Sequence, residues 1–249
     1  MHIIMSRSSK LLRQGKIFLC EKPLSITSKQ AEEMVEACKR NNVLLAVNYL
    51  HRLHPHVIKA KELIKNQTIG KLVSVNVSCN LDFPPSNNFR FNKELSGGGA
   101  LRDLGTHMID LLRFFGGEIT EINGYMDNII YNYDVEDFVS ALVKFENGNY
   151  GSFNVSYNTK KAFNRIEILG HTGAIGIENF IGVKGAPSKL TIQLDDEAKK
   201  SFRKRGNKFL FMMRAIQKSF LKNQIPPVTG EDGLINMKLM EELERKCQR

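Results

Sequence analysis

The hydrophobic period of this chain changes near residue 70, and that change sets what the chain can fold into. Ahead of it, residues 17–20 and 43–49 are apolar without alternation, the pattern of strands covered on both faces. Between them Thr27 or Ser28 can cap a helix whose Ala31, Met34, Val35 and Cys38 recur at helical spacing. Residues 5–15 read as the end of an earlier helix, with Leu11 and Leu12 on its apolar side and a stop at Gly15. Helix, strand, helix, strand with short links is the order of a doubly wound parallel sheet, and these residues supply its tail.

After Pro55 a helix is expected to about Ile64, and from Lys71 the period is two: Val73, Val75, Val77 and Cys79 alternate with Ser74, Asn76, Ser78 and Asn80. A second alternating run sets Phe153, Val155 and Tyr157 against Ser152, Asn154, Ser156 and Asn158. With candidates at 119–126, 139–145, 165–169, 174–177 and 190–194, the second region is expected to be a mixed or antiparallel sheet of about six strands. Helices are expected at 100–115, 206–221 and 233–246, so the whole is α/β followed by α+β, with 1–50 as one unit and 51–249 as the other. The last helix can pack back on the first unit. Serine and asparagine on the outer strand faces suit another subunit, a polyhydroxy ligand or an ordinary wet surface.

A chain of 249 residues with 42% hydrophobic content can bury a sizeable core. No apolar run approaches the roughly 18 residues of a membrane span, and the start has too short an apolar stretch for a secretory signal, so a cytoplasmic address is expected. Cys20, Cys38, Cys79 and Cys247 form no C-x-x-C pair and indicate neither a zinc site nor a disulfide framework. The net charge of +10 gathers partly in "KKSFRKRGNK", which reads as a solvated face; without an aromatic-basic motif, nucleic-acid binding ranks last. His51, His54 and His56 in "HRLHPH" are expected on a helical or turn surface rather than around a metal.

Two segments can carry chemistry. In "GKIFLCEKPLS" Pro23 ends a buried strand, so Lys22 sits on a stiff turn at the strand's carboxyl end, where open α/β sheets bind ligands; a plain turn is equally open. In "SGGGALRDLGTHMIDLLRFFGG" three glycines permit a tight turn or close approach to a ligand, and Asp103, His107 and Asp110 fall at i, i+4 and i+7 as one polar stripe on an apolar helix. A carboxylate one turn before a histidine can orient the imidazole and favour its protonated form, as in a general acid/base. A solvated stripe, or a buried histidine satisfied by its neighbour, gives the same pattern. Gly105, between the two polar residues, suggests that something comes close there.

Together these segments resemble the Gfo/Idh/MocA oxidoreductases, the glucose-fructose oxidoreductase and inositol dehydrogenase family, and the resemblance extends through "NYLHRLHP", "VEDFVSALVKFENGNYGSF", "ILGHTGAIGIEN" and "PPVTGEDGLINMKLMEEL". It implies a Rossmann domain binding NAD or NADP, here residues 1–50, and a C-terminal α/β domain whose open sheet is often used for homo-oligomer contacts. It also implies hydride transfer at a CH–OH carbon of a sugar or cyclitol. By the same resemblance Lys22, Asp103 and His107 are the catalytic set, and Glu21, Lys22, Pro23 and, more loosely, Arg52 lie at the cofactor.

The family's glycine-rich G-x-G-x-x-G turn, which cradles the pyrophosphate, is not found in this sequence. By the resemblance His2 falls just after the fourth Rossmann strand, so a truncated reading frame is expected first and a genuinely short protein second. Such a chain is expected to bind dinucleotide poorly. A non-catalytic module that assembles through the sheet is the alternative function.

Overall fold

The computed structural model describes residues 17–181, 186–195, 197–222 and 224–247, and the helix expected over 5–15 lies outside them. Strands β1 (Phe18–Cys20) and β2 (Leu45–Val47) pair in parallel, with Leu19 opposite Ala46. Helix α1 (Ser28–Arg40) joins them. The Thr27 hydroxyl caps α1 by accepting from the Gln30 N–H at 3.2 Å, and Ala31, Val35 and Cys38 form its buried face.

A turn of 3₁₀ helix at Leu50–Leu53 and α2 (Pro55–Lys65) lead to a sheet of eight strands. In chain order these are β3 (Leu72–Asp82), β4 (Ile119–Asp127), β5 (Phe138–Phe145), β6 (Tyr150–Ser156), β7 (Asn158–Gly170), β8 (Gly173–Glu178), β9 (Ser188–Leu194) and β10 (Lys200–Lys204). Their spatial order is β10-β9-β8-β7-β3-β6-β5-β4, with β3 and β6 parallel and the other pairs antiparallel. Sequence gave about six strands. The edge strand β10 lacks inward-outward alternation because all five of its residues are exposed; pairing with β9 and a bond from the Ser188 hydroxyl to the Lys204 carbonyl at 3.1 Å hold it. It falls inside the basic run, which is solvated as expected except at Lys208, whose ammonium turns inward to the Ile181 carbonyl.

The inner face of the sheet buries Val75, Val77, Cys79, Phe153 and Val155. Against it lies α3 (Thr106–Gly116), entered through a wide π-helical turn at Leu101–Gly105. Helices α4 (Lys208–Leu221) and α5 (Gly230–Cys247) follow. Thr229 and Asp232 cap α5 reciprocally, each accepting from the other's backbone N–H at 3.2 and 3.0 Å. The helix then packs on α1 and β2: Glu241 accepts from the Ser28 backbone N–H at 2.6 Å, and a β-carbon at Gly233 would meet Val47 at 2.9 Å. This contact holds the parallel pair against the large sheet and fixes the turn after β1 next to α3.

Candidate functional site

The Lys22 side chain crosses from the carboxyl end of β1 to the π turn, where its ammonium donates to Asp103 Oδ1 at 2.5 Å and to the Asp103 backbone carbonyl at 2.7 Å. The second carboxylate oxygen, Oδ2, accepts from the Tyr157 hydroxyl at 2.8 Å and pairs with Arg90 Nε at 3.2 Å. Burial alone would raise the Asp103 carboxyl; the Lys22 ammonium and its hydrogen bond, with Arg90 and Tyr157, outweigh that and hold it below the usual range. Tyr157 is pushed up by burial and by Asp103, so it stays a donor. A cavity of about 180 Å³ opens beside this cluster, lined by Glu21, Lys22, Pro23, Arg90, Gly98 and Asp103 among others.

The glycine run approaches its own chain rather than a ligand. Gly97 has φ +80°, and a β-carbon on Gly99 would lie 2.2 Å from the Glu136 carbonyl oxygen. The buried Glu136 carboxylate accepts from the Gly99 and Leu101 N–H groups at 2.9 and 2.8 Å and so caps the turn that presents Asp103. Gly105 likewise makes room for Leu101 and Phe153 in the core, not for a ligand.

The polar stripe is divided. Asp103 faces Lys22, while Asp110, 1% exposed, accepts from Arg52 at 2.8 Å and from Asn236 at 3.2 Å. His107 bonds neither carboxylate. Its ring meets His51 edge to face at 4.6 Å and Tyr49 at 5.8 Å, and its Nδ1 is buried without a hydrogen-bond partner among the described residues. The expected protonated, carboxylate-steadied imidazole is therefore reversed: burial, then the charges of Lys22 and Lys208, push the ring far below its ordinary value and keep it neutral.

Arg52 is not brought to the cavity. Its guanidinium bridges Asp110 and Asp232 at 2.8 and 3.1 Å and lies over the Phe114 ring, a fully committed position. The expected surface histidines are interior: His51, His54 and His56 are all at most 6% exposed. His54 Nε2 and His56 Nδ1 bond the Ser188 hydroxyl at 3.1 and 3.0 Å, and no metal-holding group of side chains occurs among the described residues.

On the other side of the turn after β1, Asn48 Nδ2 donates to Glu21 Oε1 at 2.9 Å and Asn48 Oδ1 is buried with no partner among the described residues. An orphaned acceptor beside the exposed Glu21 fits a hydroxyl or amide donor such as those of a nicotinamide nucleoside. The described residues form no glycine-rich βα turn that would cradle a pyrophosphate. Sequence reasoning missed Arg90, Tyr157, Glu136 and Asn48. Tyr157 carried the one available signal, a phenol at an inward position of an alternating strand.

A tail of parallel sheet with a lysine turn, set over an open sheet whose covering helix holds an aspartate and a histidine, defines a class of two-part α/β oxidoreductases. The chain belongs to the Gfo/Idh/MocA family: residues 6–49 match the profile described as oxidoreductase family, NAD-binding Rossmann fold, and residues 57–176 match the GFO/IDH/MocA C-terminal domain. Levoglucosan dehydrogenase of Pseudarthrobacter phenanthrenivorans is 30% identical over 190 residues, 65% of this chain and 49% of that protein. Myo-inositol 2-dehydrogenase of Thermotoga maritima is 26% identical over 236 residues, 88% of this chain and 66% of that protein. The chain thus spans from about half to two thirds of the length of these relatives. A solved structure of levoglucosan dehydrogenase in complex with NADH and levoglucosan superposes with TM-score 0.87 at 22% identity, over 99% of this chain and 75% of that one, a match of fold.

Proposed function

We propose that these residues belong to an NAD- or NADP-dependent oxidoreductase acting on a CH–OH group of a sugar, sugar derivative or cyclitol. The contact that carries this reading is Lys22 Nζ on Asp103 Oδ1 at 2.5 Å, beside a buried neutral imidazole. A bound nicotinamide dinucleotide supplies the hydride acceptor or donor. Glu21, Lys22, Pro23 and Asn48 hold its ribose end. The Lys22 ammonium donates to the reacting hydroxyl and stabilises negative charge building on its oxygen, Asp103 holds that ammonium in place, and the neutral His107 ring takes the proton as the hydroxyl is oxidised. Arg52 acts through packing and not on the cofactor.

The polypeptide of these 249 residues is proposed to bind dinucleotide weakly, because no glycine-rich turn in its sequence cradles the pyrophosphate. Titrating it with NADH and following nicotinamide fluorescence, with and without a panel of aldoses and cyclitols, tests both parts. Weak binding that tightens with one of the sugars and is lost in Lys22→Met is expected. Tight binding without sugar contradicts the weak-affinity part, and indifference to every sugar and cyclitol contradicts the oxidoreductase reading.

Homo-oligomer assembly through the outer sheet face is proposed alongside. Tyr125, Leu142, Tyr150 and Phe163 project from that face, 77, 69, 60 and 49% exposed, among serines and asparagines that bond across strands, such as Ser152 to Asn76 at 2.7 Å. Aromatic and aliphatic anchors on a neutral polar ground suit a protein interface.

A further inference from the structure

Helix α4 turns its apolar side away from the protein. Met212 and Ser219, seven residues apart, are its buried residues, and the helix rests on the 3₁₀ turn at Leu50–Leu53. Phe209, Met213 and Phe220 fall at i, i+4 and i+11 and make one stripe, with Leu210 and Leu221 on the stripe beside it. All five are exposed, between 44 and 73%. A helix of a soluble protein ordinarily gives such a stripe to its core, and five large apolar side chains presented together to water mark a surface that meets something else.

The charge around these stripes has one sign. Nine lysines and arginines and no aspartate or glutamate lie between residues 199 and 230, and all nine but the inward-turned Lys208 are exposed. Arg214 and Lys218 follow Leu210 at i+4 and i+8, so cations edge the apolar arc, and Arg203, Lys204 and Arg205 stand just ahead of the helix. Glu62, the carboxylate across the shallow cavity beside Phe211 and Arg214, is already paired with Lys59 at 3.2 Å.

We propose that α4 is a docking surface for an anionic lipid bilayer, on which the helix lies with Phe209, Met213 and Phe220 at the headgroup–acyl boundary and its cations among the lipid headgroups. No helix among the described residues is long and apolar enough to cross a membrane, so the contact lies on the bilayer. Nucleic acid would take up the cations but leave Leu210, Met213 and Leu221 in water. A twofold contact between antiparallel copies of the helix would set Arg214 and Lys218 against their own copies. A bilayer accepts both the apolar arc and the charge, each cation near an anionic surface adding about fivefold to binding. The inference is independent of the sugar-oxidoreductase reading.

Co-sedimentation of the full chain with vesicles of phosphatidylcholine alone and of phosphatidylcholine mixed with phosphatidylserine tests it. The chain has no tryptophan, so Phe220→Trp supplies a single fluorescent reporter on the helix. Binding to the phosphatidylserine vesicles should be about 30-fold or more tighter than to the neutral ones, and Arg214→Gln combined with Lys218→Gln should weaken it by about 30-fold, two cations' worth. Phe209→Ser combined with Phe220→Ser should weaken it by at least about 10-fold, and the Phe220→Trp emission should move to the blue on the anionic vesicles. Since these side chains are exposed, the urea midpoint should stay put in every variant. Equal binding to both vesicles, binding to neither, an unshifted Phe220→Trp emission on bound vesicles, or tighter binding to a DNA duplex than to phosphatidylserine each overturns the inference. An emission already blue without lipid that moves to the red on dilution assigns the face to a second copy and overturns it too.

Discussion

Lys22 and Asp103 stand 81 residues apart in the chain and meet at 2.5 Å, joining the turn after a parallel strand to the turn before the helix that covers the sheet. The pair is held from behind by Tyr157 and Arg90, so Asp103 keeps two partners when Lys22 is removed. Lys22→Met should therefore leave the melting temperature nearly unchanged but lower kcat/KM for sugar oxidation by about 10²–10³-fold, the size of losing one donor to a developing oxyanion. His107→Asn should cost about 10²–10⁴-fold through loss of the base. Turnover retained in either variant, measured by nicotinamide absorbance in a form of the enzyme that binds the dinucleotide, takes that residue out of the mechanism.

What could be read from sequence tracks which interactions are local. Thr27 as a cap, the helix after Pro55 and the alternation of β3 from Val75 on depend on neighbours within a few residues and are where the pattern puts them, whereas Val73, expected inward, is exposed beside a register shift between Leu72 and Ser74. The spacing of Asp103, His107 and Asp110 was equally plain, but their partners are Lys22, His51 and Arg52, brought from distant elements. Helical spacing fixes where a side chain starts and says nothing about which remote charge it meets. For that reason the spacing suggests an imidazole steadied by a carboxylate, whereas the ring bonds neither carboxylate and is neutral, and Arg52, matched only loosely to the cofactor by resemblance, braces Asp110 and Asp232. The histidines of "HRLHPH" misled similarly, since polar residues read as surface until Ser188, from β9, is seen to satisfy two of them.

The brace makes its own prediction. Arg52 spans Asp110 and Asp232, and Asp110 is nearly inaccessible to water, so removing the guanidinium strands a buried carboxylate. Arg52→Ala should destabilise the fold by about 3–5 kcal/mol, the usual cost of breaking a buried ion pair from one side. Urea unfolding followed by circular dichroism measures this. A variant of unchanged stability with weakened NADH binding would instead return Arg52 to the cofactor.

Gly99 and Gly148 separate close approach from backbone strain. A β-carbon on Gly99 would lie 2.2 Å from the Glu136 carbonyl oxygen, which is backbone and cannot swing away, whereas Gly148 has φ +83° in a hairpin with nothing within 4 Å. Gly99→Ala must displace the segment carrying Glu136, whose carboxylate caps the Asp103 turn, and should cost about 3 kcal/mol or more. Gly148→Ala should cost only about 1 kcal/mol, the strain of a left-handed residue. Equal losses in urea unfolding would mean that the close approach at Gly99 is not rigid.

Several buried imidazoles make stability fall on acidification. Burial lowers His51 and His107 far below the ordinary histidine value, lowers His56, and brings His54 down to about 4. The unfolded chain takes up protons on these rings from about pH 6.5 downward and the folded chain does not, so the stability they give is full above about 6.5 and drains away as pH falls toward the folded values. Asp103, held low by Lys22 against burial, adds a loss of the same sign below the ordinary carboxylate range. Asp110 and Glu136, raised by burial, act in the opposite direction, since the folded state holds their protons longer. Those two carboxyls oppose four rings and one aspartate, and carboxyls ordinarily titrate lower than imidazoles, so urea midpoints should drop between about pH 7 and about pH 5, at about 1.4 kcal/mol per pH unit for each ring that stays neutral in the fold. His54→Gln, which keeps a donor for Ser188 and cannot titrate, should flatten the slope by about one such increment. A midpoint that rises toward acid would show these rings to be charged in the folded protein.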